Sequence, residues 1–396
     1  MASTSTQQRM LELLRVPIAG VPTQILQHVS APIFGKRKSE SDGQTSGGGV
    51  MHGGEGEGDG VGDGVGDGAG DGAGRDGEGE IDTVLVVVPG NPGIVTFYEE
   101  FAEAMYEGWD RKVAVVVTSH VGHVVNVPDE VEAEPPLPSP SSPSPSSSSA
   151  SSHLLQGEGG RELSWDLESQ VAHKVAVLDA IAASSAVSAK PRFILAGHSI
   201  GGHIVNELLL GHTRGEVGGG DGGEAAAYSI VRGINLFPTL HSMRAQAGIL
   251  NYITMPGVRH ATSALAGLLG LLPRFVVRPL LGLASDAARD ERTGEIVANA
   301  LSYSVASAVL GMAATEFAQV EHPPDLDDII DNLVFYYGVD DGWAPIDHAH
   351  AMRQSYPSHP HVHIDDTGAP HAFVVDASAQ VAQALLRLLP TPEHRQ

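Results

Sequence analysis

The sequence predicts an α/β fold in which a mostly parallel central sheet is flanked by helices. Two observations lead there. Thr83-Val84-Leu85-Val86-Val87-Val88 is a continuous β-branched run of the kind that is buried on both faces of a parallel sheet. A second apolar strand, Phe193-Ile194-Leu195-Ala196, runs into Gly197-His198-Ser199-Ile200-Gly201 and then the helix-like stretch His203 to Leu210, so strand, tight turn and helix follow without a break.

The remaining elements follow in chain order. Met1 to Arg9 lacks the apolar core of a signal peptide, so a secreted protein is not expected. Residues 1–81 read as an N-terminal segment outside the folded domain, because Gly47 to Glu80 repeats a Val-Gly-Asp-Gly unit that suits a disordered acidic linker. The nine-residue period of a calcium-binding β-roll is missing from it. The folded domain is expected over 82–396. Within it, Val113 to Val117 reads as a strand, 135–152 as a disordered Ser/Pro insertion, Leu163 to Ala183 as a helix, Gly215 to Glu224 as a loop and Tyr228 to Leu236 as a strand. Residues 238–332 are too many for a simple crossover and read as a helical lid or cap insertion. Leu333 to Tyr337 and His361 to Ile364 are the last predicted strands, and Val374 to Leu389 is a closing amphipathic helix.

Four places in this order carry chemistry. Ser199 sits on a turn so sharp that a side chain at Gly197 or Gly201 would collide with the neighbouring strand or helix, which is the nucleophile elbow. With 48 Gly in the chain, a Gly-x-Ser-x-Gly match by chance is expected roughly 0.4 times, so its context decides. Upstream, Pro89-Gly90-Asn91-Pro92-Gly93 is a loop that can aim a backbone N–H; paired with the N–H of Ile200, that of Asn91 would form an oxyanion hole. Downstream, Asp340 and Asp341 follow an apolar strand, where a carboxylate can hold a histidine in the tautomer that accepts a serine proton. The acid of this fold usually stands three residues after the glycine, here Gly338, and four before a proline, which selects Asp341 and leaves Asp340 a solvated or turn-capping neighbour. His371 lies later still, in the Gly/Pro loop Thr367-Gly368-Ala369-Pro370. Serine, aspartate, histidine is the chain order of the α/β-hydrolase fold.

Together, the Pro89 to Gly93 loop with Phe97-Tyr98, the Gly197 to Gly201 elbow, Tyr336-Tyr337-Gly338 with Asp341-Gly342-Trp343, and Pro370-His371-Ala372-Phe373-Val374 resemble the lipid droplet-associated hydrolase family. The resemblance covers Asp82 to Leu389. It implies a serine hydrolase that sits on lipid droplets, with a cytosolic or endoplasmic-reticulum-surface pool, and acts on neutral lipid esters, either sterol esters or acylglycerols. The alternative is a lipid-droplet surface factor whose hydrolase activity is weak or vestigial.

Composition narrows the partners. A net charge of −25 argues against nucleic acid and against anionic bilayers as electrostatic partners. The absence of cysteine removes disulfides and thiolate metal sites. His348-Ala349-His350 and His361-Val362-His363 have spacings that put two imidazoles on one face of a strand, and His120-Val121-Gly122-His123 is looser. No carboxylate cluster completes any of them, so no metal or cofactor is expected. The apolar stretch Leu265 to Leu283 is broken by Pro273, Arg274 and Arg278, whereas a spanning helix wants about twenty apolar residues. Two short segments around a bend suit either a lipid monolayer or a cap lining the pocket, and the two are compatible in a lid that opens at an interface. Met10-Leu11-Glu12-Leu13-Leu14 is a second candidate anchor.

Overall fold

The computed structural model describes residues 10–36, 80–127, 130–134, 165–219 and 226–389. The expected linker (47–79) and the Ser/Pro insertion (135–152) lie outside the described residues. Among those described, the strands are β1 (Met10–Ile18), β2 (Val21–Val29), β3 (Gly35–Lys36), β4 (Ile81–Val88), β5 (Ala114–Thr118), β6 (Val131–Glu134), β7 (Val187–His198), β8 (Ser229–Leu236), β9 (Leu333–Tyr337) and β10 (Val362–Ile364). They form one sheet in the order β10-β9-β8-β7-β4-β5-β2-β1-β6-β3. From β10 to β5 every neighbouring pair is parallel, and β2 joins β5 antiparallel.

Pleating divides the β-branched run between two cores. Val84, Val86 and Val88 face helices α2 (Leu167–Ala182) and α3 (Ile200–Thr213), packing with Val177, Leu178, Ile204 and Leu208. Leu85 and Val87 face α1 (Glu99–Gly108) and α11 (Ser378–Leu388), packing with Phe101, Met105, Val381 and Leu385. Helices on both faces force the run to be apolar at every position, which is why it is legible in the sequence. This is the α/β-hydrolase fold.

The expected domain boundary at residue 82 needs correction. β1 and β2 form a hairpin inside the main sheet, and Leu14, Val16 and Ile18 are buried in the α2/α3 core at a spacing of two. The turn residues Ala19 and Gly20 both have positive φ, 48° and 79°, as the two-residue turn matched to strand twist requires. Residues 10–36 therefore belong to the folded unit. Leu14 is committed to the sheet core and is not free to anchor the protein to lipid.

The insertion between β8 and β9 is a helical cap: α4 (Met243–Gln246), α5 (Leu250–Ile253), α6 (Pro256–Gly270), α7 (Arg274–Ala284), α8 (Glu291–Ala300) and α9 (Tyr303–Gln319). Asp290 and Ser302 cap α8 and α9 by accepting the N–H groups of Thr293 and Val305. Helix α9 buries Val305, Ala308, Met312, Glu316 and Phe317. Helix α6 buries only Ser263, and α7 only Val277 and Gly282. Their outer surface is apolar, with Leu271 82%, Phe275 80% and Leu283 80% exposed. Among the described residues no single helix is long and apolar enough to cross a membrane; α8 and α9 meet those criteria only as a pair bent by 92°.

Candidate active site

Ser199 joins β7 to α3 with φ 55° and ψ −122°. An L-residue there costs on the order of 1–3 kcal/mol, so the surroundings must impose it. The turn is packed closely on both sides of Ser199. A Cβ on Gly197 would run into the backbone of Gly201 and Gly202, and one on Gly201 into the carbonyls of Val88 and Pro89. The Ser199 N–H donates to the Leu236 carbonyl of β8 at 2.9 Å, which fixes the elbow to the sheet.

Asp341 follows β9 by four residues. Its Oδ1 accepts the N–H groups of Trp343 (2.7 Å) and Ala344 (2.9 Å), and its Oδ2 accepts from His371 Nδ1 at 2.6 Å. Burial pushes this carboxyl up, but the His371 hydrogen bond and charge and the two backbone N–H groups outweigh it and hold it below the ordinary value. Asp340, one residue earlier, is exposed. Because a carboxylate only accepts, His371 carries its proton on Nδ1, and its Nε2 is free to accept from Ser199 Oγ at 3.0 Å. The structure thus brings Ser199, His371 and Asp341 into one chain of hydrogen bonds.

The loop that carries His371 is pinned by a residue that sequence reasoning missed. Asp365, one residue past β10, accepts from Thr367 Oγ1 (2.7 Å) and the Ala369 N–H (2.8 Å) through its two oxygens, and Tyr336 of β9 donates to the same carboxylate. Nothing in the local sequence separates Asp365 from its neighbour Asp366.

Ile200 follows Ser199 directly in the chain, and Asn91 borders the same cavity as Ser199. Ile200 opens α3, so its N–H has no acceptor within the helix. The loop bearing Asn91 is held at every residue from Pro89 to Pro92. His120 Nε2 donates to the Pro89 carbonyl (3.0 Å), the Gly90 N–H donates to Tyr98 Oη (2.9 Å), and His123 Nδ1 donates to the Pro92 carbonyl (2.5 Å). Asn91 Nδ2 donates to the Val309 carbonyl (3.0 Å) and to Glu316 Oε1 (2.9 Å), both on cap helix α9. Burial lowers both histidines, His123 to about 4, so both rings are neutral donors. The His120/His123 pair, weighed above as a metal motif, clamps the loop. His348 and His350 stand on helix α10 (Ile346–Ser355) rather than on a strand, and the two-residue spacing leaves one buried and the other exposed. Among the described residues no group of three or more His, Cys, Asp or Glu is arranged to hold a metal.

A cavity of about 620 Å³ opens over Ser199 and His371. Its walls are mostly apolar and come largely from the cap, including Ala266, Leu281, Val297, Val305 and Val309. Leu281 therefore faces inward, while its neighbours Leu280 and Leu283 face out.

A family profile described as lipid-droplet associated hydrolase matches residues 82–374 of the chain. The lipid droplet-associated hydrolase of Gallus gallus is 26% identical over 306 residues, an alignment spanning 76% of this chain and 82% of that protein. That of Dictyostelium discoideum is 24% identical over 310 residues, spanning 75% and 84%. The protein of the same name from Drosophila melanogaster is 26% identical over 309 residues, spanning 76% and 86%.

Proposed function

This chain belongs to the lipid-droplet associated hydrolase family, and we propose that it is a serine ester hydrolase acting on neutral lipid esters at the lipid-droplet surface. The single observation that carries the proposal is the continuous contact from Ser199 Oγ through the His371 ring to the Asp341 carboxylate. In this reading His371 Nε2 takes the Ser199 proton as Oγ attacks the ester carbonyl, and Asp341 holds the ring and stabilises the imidazolium. The N–H groups of Asn91 and Ile200 receive the oxyanion. His371 then returns the proton to the leaving alcohol, and water releases the acyl group by the same steps in reverse roles.

The apolar cavity supports long acyl or sterol esters over small polar ones, because a fatty chain loses its contact with water along the whole wall. The outer face of α6 and α7 supports association with a droplet monolayer, which offers an apolar phase on one side only. A cytosolic or endoplasmic-reticulum-surface pool would supply protein to that monolayer. We take residues 10–36 with the described residues between 80 and 389 as the catalytic unit and α4–α9 as its lid.

That exposed face also favours a second reading, a droplet surface factor whose hydrolysis is vestigial. Ser199→Ala separates the two. Loss of neutral-lipid turnover together with any droplet phenotype supports the enzyme, whereas a phenotype unchanged by the substitution supports the surface factor.

A further inference from the structure

Two polar side chains beside Ser199 are absorbed by no step of this mechanism. His198, the residue before Ser199, and Tyr98, on the short 3₁₀ turn Val95–Tyr98 leading into α1, are 5% and 3% exposed. Tyr98 Oη lies 2.7 Å from His198 Nδ1, and His198 Nε2 lies 2.9 Å from the backbone carbonyl of His371. A carbonyl only accepts, so the His198 proton is on Nε2. Burial, then the neighbouring His371 charge, lowers His198 to about 3, which keeps the ring neutral and makes Nδ1 an acceptor. Tyr98 must therefore donate to it, while its oxygen accepts the Gly90 N–H. The result is one directed chain: Gly90 N–H to Tyr98 O–H to His198 Nδ1, and His198 Nε2–H to the His371 carbonyl.

This chain ties the loop proposed to hold the oxyanion to the backbone of the proposed base, passing through the residue bonded to the nucleophile. Gly90 also comes so close that a Cβ there would lie 3.0 Å from Ser199 Cβ. The His198 ring is wedged edge-on against Phe373, at 4.9 Å between centroids. We propose that Tyr98 and His198 act as one positioning unit that sets the separation between the Gly90-Asn91 segment and His371, so that the oxyanion donors and the base address the same carbonyl. The proposal rests on the serine-hydrolase reading. Both residues border the cavity, but the proposal makes neither catalytic, since their polar atoms are engaged with each other, with the Gly90 N–H and with the His371 carbonyl.

Histidine ¹⁵N NMR of the full chain tests the chain directly and without any assay of turnover. The proposal requires His198 to be protonated on Nε2 and bare on Nδ1 from pH 5 to pH 9; the opposite tautomer, or titration within that range, overturns it. Tyr98→Phe keeps the ring and deletes the hydroxyl. Its kcat on a soluble ester should fall about 10- to 100-fold, the scale of a small misplacement of reacting groups, with KM unchanged. Adding His198→Ala should cost little more than the worse single substitution, because residues acting as a unit are not additive. Independent losses, or a Tyr98→Phe protein with full kcat, would overturn the unit. If Tyr98→Phe fails to fold, the tautomer of the unaltered protein still decides. Full esterase activity in Ser199→Ala would instead remove the catalytic reading, and would do so whatever tautomer is found.

Discussion

The Pro89–Gly93 loop and the helix pair α6–α7 border the same cavity and are held in opposite ways. The loop has partners from three separate places, namely the His120/His123 segment, Tyr98 and the Val309/Glu316 stretch of α9. Helices α6 and α7 bury very little between them and turn Leu268, Leu271, Phe275 and Leu283 to the outside. Transferring a proton requires atoms fixed to a fraction of an ångström, which only many directional contacts can supply. Adhering to an apolar surface requires area without fixed geometry. One cavity wall is built for position and the other for contact.

Disrupting the positioned side should give the largest effect. Asp341→Asn leaves the shape but favours the wrong His371 tautomer, and ester hydrolysis should fall about 10⁴-fold. Asp340→Asn, at an exposed side chain, should stay close to the unaltered protein, and steady-state kinetics on a soluble ester ranks the two. The reverse ranking would move the acid by one residue.

Disrupting the contact side should spare the chemistry. Leu268→Glu with Leu283→Glu removes two outward aliphatic side chains, each worth roughly 1.5–3 kcal/mol when buried in an apolar phase, and adds charge. Flotation with artificial droplets should show the variant released while soluble-ester activity persists. Loss of both would make α6–α7 part of the core, in conflict with their exposure.

The seam between the two sides is Glu316, a cap residue that grips Asn91. Burial raises its carboxyl to about 7, above the ordinary 4.5. A raised carboxyl contributes stability below the unfolded value and loses it as pH rises through the folded one, so this group destabilises the fold between about pH 4.5 and 7 and beyond. Glu316→Gln keeps an acceptor for Asn91 Nδ2 and cannot ionise. Its thermal stability relative to the unaltered protein should rise across that window, by roughly 3 kcal/mol at full effect. Denaturation curves at pH 5 and pH 8 check this, and a difference independent of pH would contradict it.

The two sides were also unequally legible. Leu333 to Tyr337, the Gly197 to Gly201 elbow and the bend at Pro273 could be read from sequence because each rests on a local rule: an apolar run, a steric pair of glycines, a proline. The β1–β2 hairpin was misread as lying outside the domain because the acidic repeat separates it from β4 and hides its period-two pattern. Glu316, Asp365 and the Tyr98–His198 contact were invisible for a different reason. Their partners lie 225, 29 and 100 residues away, and a lone glutamate on a helix carries no sign of what it will meet.

The central claim is that Ser199 is an activated nucleophile, and a fluorophosphonate probe reads that property alone. The probe should form a stable adduct on the Ser199-bearing peptide of the full chain, and Ser199→Ala should remain unlabelled. Labelling that survives the substitution, or a folded protein that the probe never modifies, would contradict the account.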